Sequence, residues 1–352
     1  MDNLFEYRRD MDALRFTQEQ KAALAAQAAR TAAGERKPVR RHRPVGRMAL
    51  VAAALAAVLV VGAGATGALK SAAEAFSGIF GGGAAQTEVL DKIGRPIGAG
   101  DTSGGVTITA DAIIGDEYNA AIVYTIRRDD GTALLPAGTE EAMLLVGGTG
   151  GTDLNILGGS HGSSWFVDED PADDTMQMVQ TISADKPIIG TTATAEFDGL
   201  YRWDETAGKP VPVVEGHWKF RFDVNYEDSS VTLDGKAFQQ DGMTFAVDSI
   251  SVSPVAVKVN YTVDSEVVWS NAPSGKQSAE DSRQVQRYLG NVEILLTKTD
   301  GTVIDLSASG GSIKPQDGTA VCSKGQVLDE IIPLAELESI SVGGVVYPIP
   351  QS

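Results

Sequence analysis

One cysteine and three histidines in 352 residues exclude a good deal of chemistry. Cys322 has no partner for an intrachain disulfide, so whatever lies outside a reducing compartment must be held by packing alone. That suits a bacterial envelope better than a eukaryotic secreted setting, and the thiol itself reads as a small apolar core side chain. His42 stands among basic residues, His161 in a Gly/Ser-rich stretch and His217 at the head of an apolar alternation, so no two are spaced to hold a metal. The patterns HExxH, CxxC, GxSxG and the phosphate-binding loop are absent. Ser163 and Ser164 beside His161 read as loop residues rather than a nucleophile and its base. No enzyme, cofactor or small-molecule substrate is expected.

Positive charge is also scarce, but unevenly. Residues 1–47 carry 11 Lys and Arg against 6 Asp and Glu, a net of +5, which leaves 18 against 41, a net of −23, for the remainder. Segments so different in charge face different surroundings. A surface at −23 repels nucleic acid and anionic lipid, so neither is expected as a partner of the large part.

The two charge regimes meet at Met48–Leu69, 22 residues without a charge. As a helix this run spans roughly 33 Å and matches a hydrocarbon core of about 30 Å. Its Ala and Gly are close to neutral for insertion. The eight large apolar residues Leu50, Val51, Leu55, Val58, Leu59, Val60, Val61 and Leu69 supply about −2 to −5 kcal/mol together, an adequate drive. Arg36, Lys37, Arg40, Arg41, Arg43 and Arg47 crowd the N-terminal flank, while only Lys70 follows before Glu74. The positive-inside rule then predicts a single-pass protein of the bacterial cell membrane, with 1–47 cytoplasmic and 70–352 outside. A cleaved signal peptide would need a lead of 47 residues, far longer than usual.

Within 1–47, Leu4, Tyr7, Met11 and Leu14 recur at helical spacing, and Phe16 follows. Thr17-Gln18-Glu19-Gln20 reads as a capping box opening an Ala-rich helix whose one large apolar residue is Leu24. Two helices this short bury no core of their own, so their apolar stripe predicts a cytoplasmic partner. Beyond the membrane run, 70–86 is expected to be a flexible tether, one weak helical turn followed by Gly81-Gly82-Gly83.

After residue 87 the period changes to two. Trp218, Phe220, Phe222 and Val224 alternate with Lys219, Arg221 and Asp223, and Val257, Val259, Tyr261 and Val263 alternate with Lys258, Asn260, Thr262 and Asp264. These are half-buried antiparallel strands. The one further helix expected is a short one at 278–289. Gly105–Ile113 aligns without gaps to Gly242–Ile250 at an offset of 137, and the same offset carries Tyr124-Thr125-Ile126 onto Tyr261-Thr262-Val263. Two tandem immunoglobulin-like antiparallel β-sandwiches, 87–226 and 227–352, are therefore expected. Asp168, Glu169, Asp170, Asp173 and Asp174 form the densest acidic cluster. Calcium could be held there, but no Gly turn or closing Glu of a known loop is present, and a solvated acidic loop is the better reading.

The order of parts resembles the membrane-bound anti-sigma factors of Gram-positive bacteria. More narrowly, it resembles proteins with the domain of unknown function numbered 4179, negative effectors of extracytoplasmic-function sigma factors. The likeness rests on Asp10–Lys21, on the basic and Ala-rich stretch to Leu69, on Gly105–Asp116, on the strand at 217–224 and on the second copy from Gly242. It implies that Leu4, Tyr7, Met11, Leu14, Phe16 and Leu24 hold a sigma factor and that the outer part transmits an envelope signal. The His/Cys zinc pattern of another anti-sigma class is missing, so that contact would be metal-free. Envelope proteases are one route for the signal. A first cut would fall in the exposed tether, and Gly62, Gly64 and Gly67 would weaken the membrane helix for a second. The competing reading is a membrane-anchored binding or structural module with no sigma partner.

Overall fold

The computed structural model describes residues 71–351 apart from 81–83, 136–143, 147–150, 157, 169–172, 205 and 271–276. The apolar stripe at Leu4, Tyr7, Met11 and Leu14 with Phe16 and Leu24, the basic flank, the apolar run 48–69 and Gly62, Gly64 and Gly67 therefore lie outside the described residues, as do Glu169 and Asp170. Among the described residues no helix is long and apolar enough to cross a membrane.

The described chain is mainly antiparallel β-sheet. The first half contains β1 (Arg95–Ser103), β2 (Val106–Gly115), β3 (Asn119–Arg128), β4 (Leu144–Val146), β5 (Gly151–Asp153), β6 (Ser160–Val167), β7 (Thr175–Ala184), β8 (Thr192–Asp204) and β9 (Lys209–Asp223). One sheet runs β1-β2-β3-β7-β6, and in the other β8 pairs with β4, β5 and β9. Side chains from both enclose one core, in which Tyr124, Phe197 and Phe220 meet at ring separations of 5.6–6.4 Å. The alternation of β9 faces this core: Trp218, Phe220 and Phe222 are buried, while Lys219 and Arg221 are exposed. The Trp218 indole N–H donates to the Val106 carbonyl at 2.8 Å, so burying the ring leaves no polar orphan.

The second half repeats the plan with β10 (Val231–Asp234), β11 (Ala237–Gln240), β12 (Met243–Val252), β13 (Ala256–Val263), β14 (Ile294–Lys298), β15 (Val303–Asp305), β16 (Gly311–Gln316), β17 (Thr319–Val327), β18 (Leu337–Val342) and β19 (Val345–Pro348). Its sheets run β10-β12-β13-β17-β16, with β11 also on β12, and β15-β14-β18-β19. They close on a second core that includes Phe245, Tyr261, Leu296, Ile340 and Cys322. Each half is thus sandwich-like, with its own core.

The hairpins at the 137-residue offset share their detailed geometry. Register slips between Ala110 and Ala112 on β2, and between Val247 and Ser249 on β12. The bulged residues are Asp111 and Asp248, and in each copy a threonine of the next strand, Thr125 or Thr262, donates its hydroxyl to that carboxylate. A bulge leaves one residue out of the ladder and sharpens the twist, and here a short polar side chain fixes it.

Two expectations need correction. The described parts of the expected tether, 71–80 and 84–86, are not a free linker. Ser71 caps α1 (Ala72–Phe76), with Glu74 N donating to Ser71 Oγ at 3.1 Å and Ser71 N to Glu74 Oε2 at 2.8 Å. Ala75 and Phe76 are buried, Phe80 four residues on is buried too, and α2 (Ala84–Ile93) follows with Leu90 and Ile93 packed inward. The second correction concerns β13, whose polar face does not meet solvent: Lys258 is 0% exposed. The helix expected at 278–289 is present as α3 (Ala279–Val285), continued by a π-helical turn over Gln286–Gly290.

Candidate functional site

The second faces of β2, β3 and β13 are buried because the two halves and a stem, residues 71–80 and 84–93, pack on one another there. The apolar part of this joint brings Phe76, Phe80, Leu90 and Ile93 against Ile114 and Val123 of the first half and Val255, Ala256 and Ile331 of the second. The stem touches both halves at once, so it sits in the seam and not beside it.

The polar part is organised by Asp185, just after β7. Its Oδ1 accepts from Ser312 Oγ at 2.8 Å and Ser323 Oγ at 3.0 Å, and its Oδ2 lies 2.8 Å from Lys314 Nζ. Lys258 Nζ is 3.9 Å from Oδ1 and donates to the Ala184 carbonyl at 2.8 Å. One carboxylate of the first half thus engages four side chains of the second. Nearby, His161 Nε2 donates to the Gly325 carbonyl at 2.9 Å, which commits the ring to the joint and away from Ser163. On the other side of the seam Asp116, fully buried, accepts from Ser253 Oγ at 2.8 Å and from the Tyr118 and Asn119 backbone.

Burial raises the Asp116 carboxyl above its ordinary range, although these hydrogen bonds pull the other way. For Asp185, burial also acts upward, but Lys314, Ser312, Ser323 and the Lys258 charge together bring it below the usual range. Burial pushes the Lys258 ammonium down to about 8, against the attraction of Asp185 and Asp116. Lys324, inside the second half, is likewise at about 8 through burial. It donates to the carbonyls of Leu289, Val292 and Ser307 at 2.6–2.9 Å, filling acceptors around the π-helical turn.

A pH dependence follows. Below about pH 8 both lysines are charged whether the chain is folded or unfolded. Between about 8 and the unfolded value of 10.5 the folded protein releases these protons first, so stability rises with pH. Cys322, pushed up by burial from 9 to about 12, acts in the opposite sense once the unfolded thiol ionises above pH 9. The urea midpoint of residues 71–352 is therefore expected to climb between pH 8 and 9. Lys258→Met is expected to remove about half of that climb; an unchanged slope in the variant would show that Lys258 does not titrate in this way.

Catalytic geometry is not found here. Cys322 is held protonated by burial, and among the described residues no group of three His, Cys, Asp or Glu side chains could hold a metal. Of the acidic cluster, Asp168 and Asp173 border a cleft of about 270 Å³ whose other wall is the stem at Glu74, Ser77 and Gly78. Asp173 is occupied in capping Thr175.

Sequence reading missed Phe76, Phe80, Asp116, Asp185 and Lys258. The stem did leave a signal, since Ser71-x-x-Glu74 is a capping box followed by phenylalanines at helical spacing. The joint carboxylates and Lys258 left none.

No family model matches the chain, and no curated protein matches it. Among solved structures it is similar to a conserved domain protein from Bacillus anthracis, at 16% identity and a TM-score of 0.45, over 71% of this chain and 76% of that one.

Proposed function

We propose that the protein is a single-pass membrane regulator of the anti-sigma type. In this reading residues 1–47 are cytoplasmic and hold an extracytoplasmic-function sigma factor through Leu4, Tyr7, Met11, Leu14, Phe16 and Leu24. Residues 48–69 cross the bilayer, and two immunoglobulin-like sandwiches outside the cell receive an envelope signal. The observation that supports it most is the stem. A passive anchor works with any free tether, whereas here the segment that follows the apolar run is built into the seam between the two halves. Separation of the halves and release of the stem are then one event, and release is what the membrane side would register. Envelope proteases would cut the freed stem, and Gly62, Gly64 and Gly67 would ease the subsequent cut within the membrane.

Leu4→Asp with Met11→Asp is expected to free the sigma factor and switch its regulon on without stress, measured by transcript profiling at matched protein levels. A reporter joined after Ser352 should be active outside the membrane only. An unchanged regulon in a variant present at normal levels would favour the anchored module.

A further inference from the structure

Sheets that end in solvent invite pairing, and most edges here are blunted. On β9 the His217 and Lys219 N–H groups are held by Ser103 Oγ at 3.0 Å and Asp101 Oδ2 at 2.9 Å of β1, so these two edges cover each other. Lys314 and Pro315 interrupt β16, while β10, β11, β15 and β19 are four residues or shorter. β6 differs. It is an edge of eight residues, Ser160–Val167, with no proline and no Asp, Glu, Lys or Arg, and its stretch 162–165 is exposed. Trp165, at 38% exposure, is among the few large apolar side chains left in solvent.

We infer that β6 pairs antiparallel with β6 of a second copy of this chain, joining two five-stranded sheets into one of ten strands. The charges around the strand select this occupant. Beside its start stand Lys186, lying over Gly158, and Asp185, which accepts from Gly159 N at 3.2 Å and is outweighed by Lys314 and Lys258 around it, so this end carries a basic surplus. At its end are Asp168 and Asp173, which border one cleft with Val167. Antiparallel self-pairing about Ser163 sets the basic end of each copy against the acidic end of the other, with Gly158 opposite the partner's Asp168. A parallel arrangement would stack acid on acid. The two-fold relation is closed, so it ends at a dimer and makes no fibre. An eight-residue strand pair buries less than a stable soluble dimer needs, so the contact is weak in solution and strong only where copies are held at high local concentration. It stands independently of the sigma-factor reading.

Cross-linking of the full-length chain in membranes tests it. In Ser163→Cys, opposite cysteines across the pair fall within disulfide reach, and Cys322 is too deeply buried to interfere. Under mild oxidation by copper(II) phenanthroline this variant is expected to form a covalent dimer at least about tenfold faster than Val346→Cys, an equally reachable control on β19. Adding Ser160→Glu, which sets a carboxylate against the acidic end of the partner's strand, should abolish the gain. Equal rates for the two cysteine variants, when both label fully with maleimide, would overturn the inference. So would a Ser163→Cys product joined to a different protein.

Discussion

Replacing Asp185 by alanine is expected to destabilise residues 71–352 by about 3–5 kcal/mol in urea unfolding, because it leaves buried charge without its counter-ion. Lys258 is the charge left behind: it is fully buried, and besides the Ala184 carbonyl the opposing groups are the carboxylates of Asp185 and the more distant Asp116. Ser312 and Ser323 lose their acceptor at the same stroke. The loss should not be uniform. Each half keeps its own core, so the single transition of the parent chain is expected to split as the halves uncouple. Adding Lys258→Met to Asp185→Ala should restore most of the stability, since an apolar chain of about the same length takes the place of the stranded charge and removes its desolvation cost. A variant Asp185→Ala that unfolds in one step at the parental midpoint would mean that the seam is held by apolar contact alone.

The apolar contact has its own test. Phe76 is 0% exposed and packs against Phe80 with ring centroids 5.6 Å apart. Phe76→Ala is expected to cost about 3–5 kcal/mol by cavity formation. Most of that energy holds one short helix, so the visible result should be local. The stem should become the first site of limited proteolysis, cleaved near residues 77–83 while both sandwich cores stay intact. In cells the same variant should behave as if the envelope signal were permanently present. Resistance of the variant stem to protease, at equal folded content, would show that the docking of Phe76 is not what protects it.

These two predictions rest on residues that the sequence kept largely hidden, and the reason is physical. Period-two alternation reports which face of a strand meets its own core, so Trp218, Phe220 and Phe222 were legible, as were Tyr261 and Val263. It is silent on whether a second body covers the other face. Lys258 therefore reads as solvent-facing although the first half buries it. Asp185 sits in a connection with no periodicity at all, and its four partners come from strands more than seventy residues away in the chain. The stem was misread for a different reason. Gly81-Gly82-Gly83 resembles a linker in composition, and the weak helical turn before it gives no sign that Phe76 and Phe80 dock.

The bond between Asp116 and Ser253 has a further meaning. These positions are separated by the same 137 residues that relate the two hairpins, so each copy presents the corresponding site to the other. β3 meets β17 while Lys258 of β13 reaches the carbonyl at the end of β7, the same encounter in both directions. That is the reciprocity of an isologous interface, found inside one polypeptide. At the dyad a carboxylate, Asp116, faces a hydroxyl, Ser253, so the seam carries a polarity that no symmetric dimer could have.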